Sequence, residues 1–222
     1  YLPDALINYL VRLGWSHGDQ EFFTRAELIE KFSLENIGQS AGLFNPDNVL
    51  ALNAEHIRRS TPRQLYPHLR PFLEIRGFKV EQRLSSETEK TLVSLSPRCK
   101  TLVEMAESAR FYYEEEIAYD ENAAGKFLKP VALEPLERTY RQLAALPDFN
   151  EKALEDAFRS VMEKSGLKLG KIAQPLRVAL TGKTVSPGIF EVIAIIGRSR
   201  TLARIQAAIT FIRQQADTNS KA

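Results

Sequence analysis

Signals for the start of a helix recur along the whole chain, and they limit its fold more than any other feature. A capping box places Ser or Thr three residues before Glu, so that hydroxyl and carboxylate bond the free amides of the first turn. This spacing occurs at Thr24 with Glu27, Ser86 with Glu89, and Thr101 with Glu104. A capping side chain precedes a first-turn proline at Asn45-Pro46, Thr61-Pro62 and Ser186-Pro187. Each of these positions predicts the beginning of a helix.

The spacing of apolar residues agrees with these signals. Apolar side chains three and four positions apart mark residues 5–13 (after Pro3), 133–146, 150–164 and 198–215. No strand-like alternation of useful length occurs, and Asn-Gly or Asp-Gly hairpin turns are missing. Residues 72–84 fit either a loop or a short extended piece. The sequence therefore predicts an all-α fold.

Composition excludes several classes of protein. The single cysteine rules out a disulfide framework, and the three histidines do not cluster into zinc-ligand spacing. The longest nearly apolar stretch, residues 189–196, is interrupted by Glu191 and is far shorter than the roughly 20 residues that span a bilayer. The amino terminus has no secretory-signal pattern, and it begins with Tyr1 rather than Met. We therefore expect a soluble, cytoplasmic fragment of a longer protein.

Charge is distributed unevenly along the chain. Residues 1–125 hold 14 Lys and Arg against 19 Asp and Glu, a net charge of −5, whereas residues 126–222 hold 16 against 9, a net charge of +7. The stretch from Arg159 to Arg204 carries nine bases and only two acids. Such asymmetry favours contact between the second half and a polyanion, RNA or DNA. A basic, solvated helical face is the alternative.

Two domain boundaries follow from the same patterns. One lies near Thr61-Pro62, where a capped helix starts after the basic run at residues 56–59. The other lies at residues 120–125, where small and polar residues precede the reversal of charge. The chain contains no internal repeat.

The sequence offers no catalytic constellation. Residues 181–184 match the end of a phosphate-binding loop, but Arg177 stands where its first glycine is required. Residues 166–171 have one residue too few between their glycines. Cys99 fits small packing beside Arg98, which would lower the pKa of its thiol. The remaining candidates fit surface, loop or core positions, and they are Glu114, Glu115, Glu116, His17, His56, His68 and Trp15. Stacking on RNA is an alternative for Trp15.

The most informative stretch is residues 170–191. It places Arg177 on a short helix, then a turn beginning at Gly182, then a helix opened by Ser186-Pro187-Gly188. Helix amino termini attract anions, and small residues let a nucleotide approach the backbone. A helical hairpin whose glycines only permit a tight turn is the alternative.

This stretch resembles the carboxy-terminal anticodon-binding region of bacterial-type glutamyl-tRNA synthetases. The family signature Gln-Pro-Leu-Arg-x-Ala-Leu-Thr-Gly, then Pro-Gly-hydrophobic-Phe-Glu, matches Gln174 to Gly182 and Pro187 to Glu191. The resemblance covers the whole chain, since residues 1–16 look like the segment after the family's Lys-Ser-Lys/Arg loop and residues 97–102 like its first anticodon-binding domain. It implies an elongated multi-helix array. The nucleotide-binding fold, with its His-Ile-Gly-His-like motif, would lie upstream.

The resemblance also implies an organisation and an activity. Residues 1–60 would end the stem-contact region, and residues 61–125 and 126–222 would form two helical anticodon-binding domains. The full-length family enzyme attaches glutamate to its tRNA with ATP and magnesium, through a glutamyl-adenylate. This chain would hold no catalytic residue and no cofactor or metal site. Its partner would be the anticodon stem-loop of glutamate tRNA, bound by a monomer, with no DNA or membrane partner.

Seven residues match the family's anticodon contacts. Arg98 matches an arginine that reads the third anticodon base, and family members with glutamine there also accept glutamine tRNA. Arg98 therefore implies restriction to glutamate tRNA. Arg159 and Arg177 match arginines that approach the anticodon bases or backbone. Four further residues match the loop and helix start that hold an unstacked base: Ser186, Pro187, Ile189 and Phe190. Ile189 and Phe190 also fit a buried helix.

Two other function classes remain as alternatives. A helical protein-interaction module would use the acidic first half as a docking surface and would show no preference among RNAs. A helix-turn-helix DNA reader needs base-reading side chains near the start of its recognition helix, and residues 189–192 are too apolar for that role. Recognition of RNA ranks first, the interaction module second and the DNA reader third.

Overall fold

The fold consists of helices and the turns between them. The structure is a computed structural model that describes residues 1–38 and 42–219. Within these ranges there are thirteen α-helices and no named strand; Trp15 and Ile37 form one isolated antiparallel bridge. The predicted all-α class is confirmed. Contacts divide the chain into two compact units, Tyr1–Arg110 and Phe111–Ala222.

The described residues of the first unit form six α-helices, and a seventh lies where the two units divide. They are α1 (Pro3–Arg12), α2 (Arg25–Lys31), α3 (Pro46–Arg59), α4 (Pro62–Ile75), α5 (Ser86–Leu95), α6 (Leu102–Ser108) and, at the division, α7 (Arg110–Tyr113). Helix α1 packs against α2 and α3, and α4 packs against α5 and α6. The loop or extended piece expected over residues 72–84 is wrong for residues 72–75, which complete α4, whereas residues 76–84 form turns and irregular chain.

Buried amide side chains connect separate parts of the first unit. Asn53 is fully buried on α3; its Oδ1 accepts from the amide of Leu2 at 2.7 Å and its Nδ2 donates to the carbonyl of Lys100 at 2.5 Å. One side chain thus joins the start of α1 to the segment before α6.

The domain boundaries proposed from the sequence at residues 60 and 125 rest on charge and resemblance, and they stay predictions.

Most of the predicted caps are present. Thr24 and Thr61 form complete capping boxes, and the side chain of Asn45 accepts from the amide of Asp47. The hydroxyl of Thr101 accepts from the amide of Glu104, whose carboxylate accepts instead from the amide of Lys100. The cap predicted at Ser86 is wrong by one position. Since Ser85 accepts from the amide of Thr88, Ser86 is the first helical residue.

Two ambiguous residues of the first unit prove to be core. Trp15 is 3% exposed and packs with Phe23 and Leu28, so the structure places it in the core rather than on a stacking surface. Cys99 is also buried. Burial raises the pKa of its thiol to about 11, which outweighs the lowering effect that we expected from Arg98.

Up to residue 219, the last one described, the second unit contains six further α-helices. They are α8 (Glu121–Phe127), α9 (Leu133–Ala144), α10 (Glu151–Ser165), α11 (Leu169–Thr181), α12 (Ile189–Ile196) and α13 (Arg198–Asn219). Helix α13 packs against α9, α11 and α12, while α10 packs against α9, α11 and α12. Residues 120–125, where the sequence predicts a domain boundary, form the N-cap and first part of α8, and Asp120 accepts from the amide of Ala123 at 2.8 Å.

No helix of the described residues is long and apolar enough to cross a membrane.

Candidate nucleic-acid interface

The candidate site is built around the turn of residues 182–188, which joins α11 to α12. Helix α11 ends at Thr181 because Gly182 adopts the left-handed conformation, with φ of +73°. The hydroxyl of Thr181 donates to the carbonyl of Arg177 at 2.8 Å and lies 3.3 Å from the amide of Lys183. The helix end and the first residue of the turn are therefore fixed together.

A distant segment holds the first end of this turn. A Cβ atom on Gly182 would lie only 2.3 Å from the carbonyl oxygen of Ala118. The carbonyl of Gly182 accepts from the amide of Asp120 at 2.9 Å. Only glycine fits here, because the position combines a positive φ with close backbone contact. The sequence offered no sign that residues 118–120 support the turn.

Arg177 holds the second end of the turn. Its Nη1 donates to the carbonyl of Pro187 at 2.7 Å, to the carbonyl of Ser186 at 3.2 Å and to the hydroxyl of Ser186. The predicted cap at Ser186 is wrong. Helix α12 begins at Ile189 with Gly188 as its N-cap and without a side-chain cap.

The middle of the turn projects into solvent. Lys183, Thr184 and Val185 are exposed, and Val185 reaches 82% exposure. Gly188 is exposed beside the uncapped amides at the start of α12. A turn that is anchored at both ends and exposes a lysine at its middle can receive a polyanion without reordering its backbone.

The residues that follow the turn pack into the second unit. Ile189 is 6% exposed and Pro187 is also buried. Phe190 is half-buried, and its ring lies edge-on to that of Phe158 on α10, with 5.0 Å between centroids. Packing thus accounts for Ile189, whereas Phe190 keeps part of its surface in solvent. Their contact with RNA stays a prediction.

Arg159 lies on α10, next to Phe158 in sequence. Its side chain is exposed and has no hydrogen bond or ion pair to any described residue. Six of the seven predicted contacts therefore lie on α10, α11, α12 and the turn, and these three helices pack against one another. The six residues are Arg159, Arg177, Ser186, Pro187, Ile189 and Phe190.

Arg98 belongs to the other compact unit. It is exposed in the turn after α5, where its Nη1 donates to the carbonyl of Ser94 at 2.9 Å. This bond directs one nitrogen of the guanidinium back to the helix end. Its Nε and Nη2 have no partner among the described residues and can serve a planar acceptor pair.

The other titratable candidates are surface, stacked or buried side chains outside residues 182–188. Glu115 and Glu116 are exposed, His68 is exposed on α4, and the ring of His17 stacks on Trp15. His56 is buried, and its Nε2 lies 3.1 Å from Oδ1 of Asn8. The described ranges bring no three His, Cys, Asp or Glu side chains together as metal ligands.

Comparison with known families gives a match over most of the chain. The sequence profile described as "Anticodon binding domain" matches residues 64–209. This range contains the turn and all seven residues that the sequence analysis singled out.

Three curated relatives that match nearly the whole chain are named glutamate–tRNA ligase. A glutamate–tRNA ligase of Desulfosudis oleivorans is 56% identical over 214 residues, covering 96% of this chain and 45% of the relative. That of Syntrophobacter fumaroxidans is 53% identical over 215 residues, covering 97% and 46%. That of Geobacter sulfurreducens is 45% identical over 214 residues, covering 96% and 46%. The chain thus spans slightly less than half the length of these relatives.

Two solved structures have the same fold as this chain. A glutamate tRNA ligase from Elizabethkingia meningosepticum, in complex with its amino acid, superimposes with a TM-score of 0.84 at 23% identity, over 96% of this chain and 42% of that one. A glutamate-tRNA synthetase from Elizabethkingia anophelis gives 0.80 at 25% identity, over 95% and 41%.

Proposed function

Because the chain belongs to the family of anticodon-binding domains, we propose that it is the tRNA-reading half of a glutamate–tRNA ligase. The observation that carries the proposal is the turn of residues 182–188. It is anchored at Gly182 and at Pro187 while its middle is exposed. Protein surfaces read single-stranded loops by splaying the bases onto fixed side chains and backbone groups. A turn fixed at both ends supplies such a surface.

Six of the seven matched residues have a direct role in this proposal, while Ile189, which is buried, packs at the start of α12. Arg177 fixes the backbone of Ser186 and of buried Pro187, which shapes the turn against which an unstacked base packs, and Phe190 offers its exposed part to the same base. Arg159, exposed and unpaired among the described residues, faces the phosphate backbone. Arg98 reads the third anticodon base, since its planar fork can bond two acceptors of cytosine at once.

The complete enzyme of the proposal is an aminoacyl-tRNA synthetase of protein biosynthesis. It attaches glutamate to glutamate tRNA in two steps, with ATP and magnesium, in the cytoplasm and as a monomer. The residues described in this chain offer neither a phosphate loop of the right spacing nor a cluster of metal ligands. In this proposal ATP and magnesium bind in the part of the enzyme that this chain does not span, since the chain covers 45% of a relative's length, and this chain recognises the anticodon stem-loop.

Fluorescence anisotropy with an anticodon stem-loop of glutamate tRNA tests the proposal. A companion stem-loop changes the third anticodon base from C to G. We expect binding that favours C and that weakens with salt. The slope of log affinity against log salt concentration should be about −0.7 for each neutralised phosphate. Equal binding of both stem-loops contradicts base recognition. A stable protein complex without any RNA preference would support the interaction module instead.

A further inference from the structure

A buried arginine on α13 lies behind the turn. Arg204 is 3% exposed. Its Nη1 donates to the carbonyl of Leu180 at 2.7 Å, and its Nη2 donates to the carbonyl of Glu114. Leu180 belongs to the last turn of α11, and Glu114 begins the segment that runs to Asp120. One guanidinium therefore bonds two segments that are far apart in sequence.

These two segments are the ones that fix the turn. Helix α11 carries Arg177 and leads directly into Gly182, while residues 114–120 supply the backbone groups that pack against Gly182 and bond it. The guanidinium is planar and rigid, so bonds from two of its nitrogens fix the separation of their acceptors. Arg204 thereby sets the distance between the two segments that hold the turn.

Packing alone does not explain an arginine at this position. A buried cation is costly unless it is hydrogen-bonded, and apolar residues of similar volume often replace such groups without loss of stability. Nε of Arg204 has no hydrogen-bond partner within the described part of the chain. Burial lowers the pKa of the guanidinium to about 10, which leaves it charged at neutral pH. The charge lies at the carbonyl end of α11, where the helix dipole favours a cation.

We propose that Arg204 is a positioning residue for anticodon recognition, setting the geometry of the turn at residues 182–188 without touching RNA. The inference rests on the proposed function for its link to RNA. The bonding of the two segments does not depend on that function and can be measured separately.

The first test measures the bond between the two segments in the 222-residue chain. The amide of Asp120 donates to the carbonyl of Gly182, so its hydrogen exchange reports their contact. In Arg204→Met we expect this exchange to accelerate about tenfold or more under native conditions. In Arg204→Lys we expect an intermediate rate, because a single ammonium cannot reproduce the paired fork.

Arg200→Met is the matched control. Arg200 lies one turn earlier on α13 and donates to the carbonyls of Tyr112 and Ile196, at 2.6 and 3.2 Å. The substitution removes an arginine with carbonyl partners from the same helix. Exchange at Asp120 should stay within about twofold of wild type in this variant. Unchanged exchange in Arg204→Met, or equal acceleration in Arg200→Met, would overturn the assignment.

The second test measures base discrimination. Stem-loops altered at each of the three anticodon positions are bound to the same variants, well below their melting temperatures. We expect Arg204→Met to lose about fivefold or more of the discrimination at the first or second position. Discrimination at the third position, assigned to Arg98, should persist, and Arg204→Lys should recover part of the loss.

Together, the two tests distinguish failure of the proposed function from failure of the positioning role of Arg204. If wild type shows no anticodon preference while Asp120 exchange responds to Arg204→Met, the proposed function fails and the bonding of the segments stands. If wild type discriminates and Arg204→Met discriminates equally despite faster exchange, the positioning role is overturned. If Arg204→Met does not fold, both measurements are made on Arg204→Lys instead.

Discussion

Nη1 of Arg177 lies 2.7 Å from the carbonyl oxygen of Pro187, so a side chain of α11 bonds the backbone just before α12 begins. The same nitrogen bonds the carbonyl and the hydroxyl of Ser186. Arg177 thus closes the turn from within its own helical hairpin. In the proposed complex with RNA, Arg177 therefore helps to set the shape of the turn at residues 182–188.

Replacing Arg177 should damage both stability and binding. In Arg177→Met the carbonyls of Ser186 and Pro187 lose their charged donor, and we expect the free energy of unfolding to fall by about 2 kcal/mol. Binding of the anticodon stem-loop should weaken about tenfold, since the turn loses its fixed shape. Urea unfolding and anisotropy measure the two effects. Ser186→Ala removes one acceptor and should cost about 1 kcal/mol or less; an equal cost in both variants contradicts this role for Arg177.

Two glycines allow the crowding at Gly182 to be separated from its backbone conformation. Gly166 ends α10 with φ of +67° and has open space around a Cβ position, whereas Gly182, at +73°, lies against Ala118. Gly166→Ala should cost about 1 kcal/mol for the left-handed conformation alone. Gly182→Ala should cost about 2 kcal/mol more, because its Cβ overlaps a backbone oxygen. Similar midpoints of urea unfolding for the two variants would show that the chain at Ala118 yields freely.

Local signals were enough to predict most of the helices. Caps and apolar spacing act within a few residues: α3 begins after its predicted cap at Asn45, and α9 begins where its apolar spacing does. The error at Ser86 has the same local origin. Ser85 and Ser86 are both competent caps, and the sequence contains nothing that selects Ser85.

The parts of the site that sequence patterns could not supply depend on distant partners. Ser186 has the form of a cap, but Arg177, nine residues away, bonds its hydroxyl. The contact between Gly182 and Ala118 joins positions separated by 64 residues. Residues 120–125 are small and polar in the sequence, and the pattern does not show that Ala123 and Ala124 are buried in the second unit. Periodicity carries no information about such pairs.

Arg98 should control the third base with little effect on the fold. In Arg98→Gln we expect the preference for C over G to fall more than the overall affinity, because the amide cannot present the charged planar fork. The free energy of unfolding should change by less than about 0.5 kcal/mol, since the side chain is exposed. Anisotropy with the two stem-loops measures the preference. Lys100→Gln, an exposed neighbour with the same change of charge, should lower both affinities equally; a matching loss of preference there would assign the effect to charge alone.

Arg159 should contribute through charge. Its exposed guanidinium has no partner among the described residues, so Arg159→Gln should leave stability unchanged within about 0.5 kcal/mol. If Arg159 neutralises one phosphate, the slope of log affinity against log salt should decrease by about 0.7. Lys164→Gln is the control, because Lys164 is exposed on the same helix, five residues further on. Equal slopes for Arg159→Gln and wild type would remove Arg159 from the interface.

His56 should make the stability of the first unit depend on pH. Burial is the main reason why the pKa of His56 is lowered from its ordinary value of 6.5, with Asp4 and Glu55 opposing the shift and Arg59 adding to it. Its Nε2 lies 3.1 Å from Oδ1 of Asn8, which also accepts from the amide of Phe23 at 2.9 Å. Since Oδ1 can only accept, the neutral ring donates from Nε2.

The sign of this dependence follows from proton counting. Between the lowered pKa of folded His56 and the unfolded value of 6.5, the unfolded chain binds more protons, so stability rises with pH. The contribution is therefore complete above about pH 7.5 and is lost as pH falls through the folded pKa. Urea unfolding between about pH 7.5 and 5 should show this decline in wild type and much less of it in His56→Gln, which retains an amide donor near Asn8. His68→Gln, at an exposed position of α4, should keep the wild-type slope; if it flattens the slope as much as His56→Gln does, burial of His56 is not the source of the pH dependence.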